Sequence, residues 1–302
     1  MVKFSIIVRV APDRKCEIKE SLKKLNYNKK EYEVIIKYGL NPSENRNYGI
    51  KKAKGKYLVF VDDDAVLDND YLKNAEKFFN EHKEVDLVGG PQLTPKDDGY
   101  FARSCGYVFE SWFATFKMSS RYKKGNLDLN VDEFNLTSAN CIVKKEVFKK
   151  IKGFDPRLYP GEDPEFYYRV KKAGFKLAYN PEIIIYHRRR ADVKGFLKQF
   201  FKYGYVRLKK ERINKTPFAE INPVIFVPSM FLIYLILLPL IHYQLGNLML
   251  YPLALYIALV LLFGTFQMIK NLAILEYPMI LIIYPLVHLS YGLGMIWNFI
   301  RG

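Results

Sequence analysis

The 302-residue sequence predicts an α/β domain with a mostly parallel sheet, followed by a C-terminal transmembrane helical region. Three observations carry this. Short apolar, β-prone runs alternate with helix-periodic segments from Phe4 to Val61; Asp62, Asp63 and Asp64 stand directly behind the run Tyr57-Leu58-Val59-Phe60-Val61; and the tail from Pro223 to Gly302 holds only Lys270, Glu276 and Arg301 as charged residues. Fully apolar runs suit strands buried on both faces, which parallel sheets require.

Taken in order, Phe4 to Val10 reads as the first strand, and Cys16 to Leu25 as a helix with Ile18, Leu22 and Leu25 on one face. A second strand, Glu33 to Lys37, ends at Tyr38-Gly39. Asn41-Pro42-Ser43 then starts a short helix through Ala53, which Gly55 is placed to end with a left-handed cap. The strand leading to the aspartates follows, so the alternation is β-α-β-α-β with right-handed crossovers. Beyond it, Tyr71 to Glu81 is a helix, Val85 to Gly89 and Asn140 to Val143 are strands, and Glu146 to Ile151 is a short helix. A helix from about Pro164 to Ala173, closed by Gly174, follows Gly161-Glu162-Asp163; a last strand, Ile183 to Tyr186, delivers His187.

Residues 97 to 133 mix Tyr100, Phe101, Tyr107, Phe109, Trp112, Phe113, Phe116 and Tyr122 with basic residues at poor periodicity. Two expectations fit: an insertion packing its aromatics onto the α/β domain, or a cover touching membrane or a second substrate.

The domain plan is 1–190 for the α/β domain, 191–222 for a basic juxtamembrane segment and 223–302 for about three membrane helices, near 224–243, 247–268 and 277–299. Each stretch matches the roughly 20 residues that cross a bilayer core. The chain carries +16; the tail's two basic and one acidic residues leave +15 on residues 1–222. His187 to Lys215 alone holds eleven Lys or Arg against Asp192 and Glu211, which by the positive-inside rule puts the folded domain in the cytoplasm, against anionic lipids of a multi-pass cell-membrane protein. No signal peptide precedes the first strand, and Cys16, Cys105 and Cys141 lack metal spacing, which suits a reducing compartment. With the charge gathered beside a membrane segment and no nucleic-acid motif present, nucleic acid is not expected as a partner.

Three clusters carry chemistry. Aspartates at the carboxyl end of a strand are either a solvated turn or a cation site, since ligands of open α/β sheets collect there. Glu162 and Asp163 at a helix start are either caps or a base able to take a proton from an attacking hydroxyl. His187, at another strand end, can complete a divalent site begun by carboxylates, better for Mn²⁺ than for Mg²⁺. Arg188, Arg189 and Arg190 beside it suit a diphosphate or lipid headgroups.

Together these residues resemble a family 2 glycosyltransferase of the GT-A, Rossmann-like fold. Asn45-Arg46-Asn47-Tyr48-Gly49-Ile50, Ala53, Gly55 and Phe60-Val61-Asp62-Asp63-Asp64 match the family's helix and aspartate motif; Gly153-Phe154-Asp155, Glu162-Asp163, Arg169, Gly174-Phe175, Pro181 and His187 follow in its order. The ending, with Gln199, Gly204 and Arg207 before apolar spans, is similar to membrane members that extend lipid-linked oligosaccharides or exopolysaccharides. The resemblance implies a divalent metal, Mn²⁺ or Mg²⁺, on Asp62, Asp64 and His187. It implies nucleotide-sugar contacts from Arg46, Asn47, Asp62, Asp63 and Arg188, with Asp163 as catalytic base. Glu162, Asn140, Gln199 and Arg207 would meet the acceptor or the diphosphate. The expected activity is inverting transfer from a UDP- or GDP-sugar to a hydroxyl of a lipid-linked saccharide at the cytoplasmic face. Two other expectations stand beside it: transfer to a polyprenyl phosphate, and a catalytically silent nucleotide-sugar-binding module. The first strand ends Arg9-Val10-Ala11-Pro12 in place of the family's Pro-Thr turn, and the second ends Tyr38-Gly39 where an aspartate usually reads the base. The choice between UDP and GDP is therefore open.

Overall fold

The computed structural model describes residues 1–301. The chain runs β1 (Phe4–Val10), α1 (Lys19–Lys23), β2 (Tyr32–Tyr38), α2 (Pro42–Lys52), β3 (Tyr57–Asp62), β4 (Ala65–Leu67), α3 (Tyr71–Glu81), β5 (Leu87–Gly89) and β6 (Gln92–Leu93). It continues through α4 (Tyr100–Phe109), α5 (Trp112–Thr115), β7 (Asn140–Lys144), α6 (Val147–Lys150), α7 (Glu162–Lys172), β8 (Leu177–Tyr179) and β9 (Ile185–His187). The last helices are α8 (Val193–Asn214), α9 (Val227–Leu245), α10 (Tyr251–Asn271) and α11 (Tyr277–Arg301). Two units form: 1–96 with 117–188, and 97–116 with 189 onward.

In the first unit the main sheet has the order β2-β1-β3-β7-β5-β8 among the described residues. β2, β1 and β3 pair in parallel, as do β5 and β8, whereas β7 is antiparallel to both its neighbours. The sheet is thus mostly parallel as expected, with one reversed strand that periodicity cannot orient. Because side chains alternate along a strand, Phe4, Ile6, Val8, Tyr57, Val59 and Val61 join Leu72 and Phe78 in one core layer, and Ile7, Leu58 and Phe60 join Val147, Phe154 and Phe166 in the other. Sandwiched in this way, β3 is buried along its whole length.

Several local expectations need correction. β4, β6 and β8 are two or three residues long, too short to leave a periodic signal. The first helix covers only Lys19–Lys23, inside the longer expected span. Gly55 is not a left-handed cap, for α2 ends at Ala53 with φ −59. Glycine is needed there for close approach: an added Cβ would meet the Phe4 carbonyl carbon and the Ser5 nitrogen at 2.7 Å. Gly174, by contrast, has φ 89 after α7, as its sequence position suggests.

The second unit corrects the domain plan. Residues 97–116 leave the α/β unit and join the C-terminal helices, while 117–133 stay with the first unit. The aromatics of 97–116 accordingly pack within the helical unit: Phe101 and Phe109 meet Phe196 of α8, and Phe113 meets Phe263, Tyr284 and His288. Asp192 caps α8 by accepting from the Gly195 N–H at 2.7 Å, and the helix then runs unbroken to Asn214, within the expected juxtamembrane segment.

Two helical stretches are long and apolar enough to cross a membrane, Pro223–Asn271 and Tyr277–Arg301. The first is divided by a 3-10 turn at Gly246–Leu250, where Gly246 takes φ 75, so that α9 and α10 fold back on each other. Phe231 stacks on Tyr256 with centroids 4.2 Å apart, and the Tyr234 hydroxyl donates to the Met249 carbonyl at 2.6 Å. The sequence expected about three membrane helices; the structure has two helical stretches that meet the length and apolarity test, the first made of α9 and α10.

Candidate active site

β3 ends at Asp62, and the turn that follows carries Asp63 and Asp64 into β4. β4 pairs antiparallel with β9 in the register Ala65↔His187, which sets the imidazole beside Asp64. His187 Nε2 lies 3.2 Å from Asp64 Oδ1. Asp62, Asp64 and His187 each offer an atom within 4.8 Å of the others. The sequence predicts the three residues; the pairing that joins them rests on β4, which leaves no pattern to read.

Arginines fill the space among the carboxylates. Arg9, level with Asp62 in the β1–β3 register, donates Nε and Nη2 to the two oxygens of Asp62 at 3.1 and 2.8 Å. Arg46 on α2 reaches Asp62 at 3.5 Å and Glu162 at 2.8 Å. Arg14 contacts Asp64 at 2.5 Å and Asp63 at 3.2 Å. Burial disfavours ionisation of Asp62, but Arg9 and Arg46 outweigh it and hold its pKa below the usual carboxylate range. Asp64 is likewise depressed against its burial, by His187 and Arg14. Asp63 goes the other way: burial raises it, and Arg14 does not compensate fully. Position in one tripeptide thus yields opposite electrostatics.

The donor set fits a divalent cation. His187 Nδ1 and Asp63 Oδ2 are buried without a hydrogen-bond partner, while Asp64 Oδ1 and Asp63 Oδ1 are met only by the ion-pair contacts of His187 and Arg14, both at 3.2 Å. Such orphaned groups are costly unless something meets them. Two carboxylates and an imidazole suit Mn²⁺ among the oxygen- and nitrogen-preferring ions. Arg9 and Arg14 stand where positive charge is needed and would share these oxygens with the ion.

The second acidic cluster opens α7. Gly161, with φ 115, turns the chain so that Glu162 is the first helical residue and Asp163 the second. Glu162 is buried and raised, by burial first and by the adjacent Asp163 second, with Arg46 opposing. Its Oε2 has no hydrogen-bond partner. Asp163 Oδ2 accepts from the Ser138 N–H at 3.2 Å and the Thr137 hydroxyl at 3.4 Å. Neither residue makes the side-chain helix cap that the sequence left open. Through Asp62–Arg46–Glu162 the two clusters, a hundred residues apart in sequence, become one buried chain of charges.

Other predicted residues land elsewhere. Asn140 is fully buried; its amide donates to the Pro91 and Ile183 carbonyls at 3.0 and 2.7 Å and its oxygen accepts from Tyr71 at 2.8 Å. Asn47 clamps Phe154, donating to its carbonyl and accepting from its N–H, both at 2.8 Å. Both amides hold strands and loops through these bonds, whereas the sequence expected them to contact ligand. Arg188 directly follows the β9 histidine at the end of the first unit. Gln199 and Arg207 lie on α8 in the second unit, where Gln199 donates to the Tyr203 hydroxyl at 2.7 Å and Arg207 pairs with Glu211 at 3.7 Å. Arg9 and Arg14 escape the sequence reading as site residues. The signal was one charged residue near the end of an otherwise apolar strand, Phe-Ser-Ile-Ile-Val-Arg-Val.

The family model for "Glycosyltransferase like family 2" matches residues 3–205. A dolichyl N-acetyl-α-D-glucosaminyl phosphate 3-β-D-2,3-diacetamido-2,3-dideoxy-β-D-glucuronosyltransferase of Methanococcus voltae is 28% identical over 193 residues, covering 62% of this chain and 57% of that protein. An uncharacterized glycosyltransferase of Methanocaldococcus jannaschii is 24% identical over 221 residues, 71% of each. The chain thus spans little more than half the length of the first of these relatives. Among solved structures, a mannosyltransferase from Pyrobaculum calidifontis in complex with GDP-Man and Mn²⁺ superimposes with a TM-score of 0.57 at 13% identity, over 98% of this chain and 87% of that one. That likeness establishes a GT-A type of fold. With two thirds of the sequence under the family model and the aspartate, Glu-Asp and histidine motifs converging as described, the chain belongs to family 2 of the glycosyltransferases.

Proposed function

We propose that the protein transfers a sugar, with inversion, from a nucleotide-diphosphate sugar to a hydroxyl of a lipid-linked saccharide at a membrane surface. The observation that carries this is the convergence of Asp62, Asp64 and His187, joined through Arg46 to the Glu162-Asp163 pair. Asp62, Asp64 and His187 would hold a divalent cation, which when bound supplies neutralisation of the departing nucleoside diphosphate. Asp163 is the base: the Ser138 N–H and the Thr137 hydroxyl orient one of its oxygens and leave the other to take the acceptor proton as the hydroxyl attacks the anomeric carbon. The bond to the leaving diphosphate breaks on the opposite side of the sugar. Arg9 and Arg14 can turn from carboxylate to diphosphate oxygens, a bidentate geometry that guanidinium suits.

A lipid-linked acceptor is supported by the apolar helices and by the name of the Methanococcus relative, a transferase acting on a dolichyl-linked sugar phosphate. The basic belt from Arg188 to Lys215 favours the cytoplasmic face. The test is release of nucleoside diphosphate from UDP- and GDP-sugars by purified protein, with Mn²⁺ and either a lipid-linked saccharide or a bare polyprenyl phosphate. Product on the saccharide supports the reading; product only on the phosphate favours the simpler lipid acceptor; binding without release overturns catalysis.

A further inference from the structure

We propose that the amino edge of the α/β unit is a docking face for an acidic protein segment, a stretch of Asp and Glu on a partner that comes from the aqueous phase. The face itself is argued wholly within the first unit. Only the choice of a protein over the bilayer rests on the proposed function.

Three segments far apart in sequence bring lysines to this edge. Four of them, Lys51, Lys52, Lys54 and Lys56, end α2 and lead into β3. Another four, Lys145, Lys149, Lys150 and Lys152, surround α6, and Lys172 and Lys176 close α7 and precede β8. All ten are exposed. Backbone contacts hold the segments side by side: the Lys145 N–H donates to the Lys56 carbonyl at 2.9 Å and its ammonium to the Ala53 carbonyl at 2.6 Å, while the Lys150 ammonium reaches the Ala173 carbonyl at 3.0 Å. β3 begins at Tyr57, opposite Lys144, and ends at Asp62. At about 3.3 Å per residue, Lys56 therefore stands about 20 Å from the aspartates, at the other end of the same strand.

Local structure leaves most of this charge unanswered. Lysines in the last turns of α2, α6 and α7 complement the helix dipoles, but a helix end carries about −0.5 charge, so three ends offset about 1.5 of the ten. Nearby acids are already engaged. Lys144 contacts Asp86 at 3.5 Å and Glu146 at 4.0 Å, Arg169 holds Glu165, and Glu33 accepts from the Ser5 hydroxyl and the Lys54 N–H, both at 2.6 Å. Among the described residues none of the ten lysines forms an ion pair. Exposed lysines on the other layer do pair, Lys23 with Glu20 and Lys73 with Asp70. A field of one sign draws a partner of the other. The face is built of lysine alone, whose ammonium meets carboxylates singly, whereas bidentate phosphate recognition calls for arginine. It also lacks a platform for nucleic-acid bases: Lys56 and Lys150 overlie Tyr57 and Phe175 at 5.1 and 5.5 Å, and both rings pack on the core. The proposed acceptor separates protein from bilayer. Asp163 is held by Ser138, two residues before β7 and at the carboxyl end of β3. A membrane that delivers an acceptor there has the amino edge on its far side, in water.

The experiment uses full-length protein in phosphatidylcholine nanodiscs and the anisotropy of fluorescein-labelled oligoglutamate at low salt. One variant combines Lys54→Glu, Lys56→Glu, Lys149→Glu and Lys152→Glu, leaving Lys145 and Lys150 to hold their carbonyls. A control of equal net charge combines Lys23→Glu, Lys24→Glu, Lys73→Glu and Lys77→Glu, on and beside α1 and α3. Thermal unfolding checks that each is folded, and Gln at the same four positions replaces the first set if Glu unfolds it. The wild type is expected to bind, the first variant to bind at least about tenfold more weakly, and the control to change by less than about threefold. Equal weakening in both variants, no binding by the wild type, or tighter binding of an oligonucleotide of the same charge overturns the proposal. An environment-sensitive dye on Lys54→Cys, with Cys16, Cys105 and Cys141 buried, tests the bilayer. Its emission is expected to stay that of a dye in water when phosphatidylserine is added to the nanodiscs; a blue shift would put the edge on headgroups and also overturns the proposal. Binding that follows the four lysines while no nucleoside diphosphate is released from any donor supports the docking face and sinks only the proposed transfer.

Discussion

The two acidic clusters use the same residue types in opposite ways. Around Asp62 and Asp64, arginines and a histidine press on the carboxylates and keep them ionised in a buried setting. At the start of α7, Glu162 is buried beside another acid and is pushed toward its protonated form, while Asp163 accepts from a backbone N–H and a hydroxyl. That asymmetry suits the roles proposed above, a cation site at the first cluster and a base at the second. Arg46 pairs with both, reaching Asp62 and Glu162.

The contrast can be broken most directly at Asp163. Asp163→Asn is expected to lower kcat by about 10²- to 10⁴-fold, the usual contribution of a positioned general base, while donor-induced thermal stabilisation is retained. Near-normal turnover would remove Asp163 from the role. Arg46→Met should be felt in folding, not chemistry alone. Removing one partner of a buried ion pair costs about 3–5 kcal/mol, and denaturant unfolding should report a loss of that order. Adding Glu162→Gln should recover part of it, because the stranded charge is then gone. Strict additivity in that double variant would mean that the two groups do not interact.

Acid titration separates the clusters by sign. The folded pKa values of Asp62 and Asp64 lie below the unfolded value of about 3.9, so their stabilisation is complete above that pH and fades as acidification passes the folded values. Asp63, raised in the fold, contributes in the reverse sense, its share being lost as pH rises through its folded pKa. Asp64→Asn should flatten the acid limb of the stability curve and also abolish any Mn²⁺-induced thermal shift. The smallest change is expected from Arg14→Gln. Arg14 is 43% exposed, so its ion pairs are screened and worth at most about 1 kcal/mol. Calorimetry with Mn²⁺ alone should nevertheless find tighter binding, since a competing cation has been removed.

Much of this was legible in the sequence, and what was not has definite causes. The strands and helices from Phe4 to Glu81 stand near their expected positions because apolar runs and helical periodicity survive without tertiary information. The candidate site residues stood out in the sequence because Asp64, Asp163 and His187 lie at ends of elements, where polar residues are conspicuous. Their assembly was not. β4 is too short to read, so the Ala65↔His187 pairing could not be foreseen, and the roles of Asn47 and Asn140 depend on backbone groups distant in sequence. The aromatic segment 97–116 was misassigned in part because composition says that aromatics will be buried but not which partner buries them.

The three-residue ladder between β4 and β9 has one more implication. Side chains alternate along a strand, so a slip of one residue would present Tyr186 or Arg188 to Asp64 in place of imidazole. One is a phenol and the other a permanent cation, and neither is a neutral nitrogen donor. The ladder therefore works as a combination lock, in which the correct side chain counts only when the strand is set to one notch, and an insertion or deletion in either strand would part His187 from Asp64 without altering either residue.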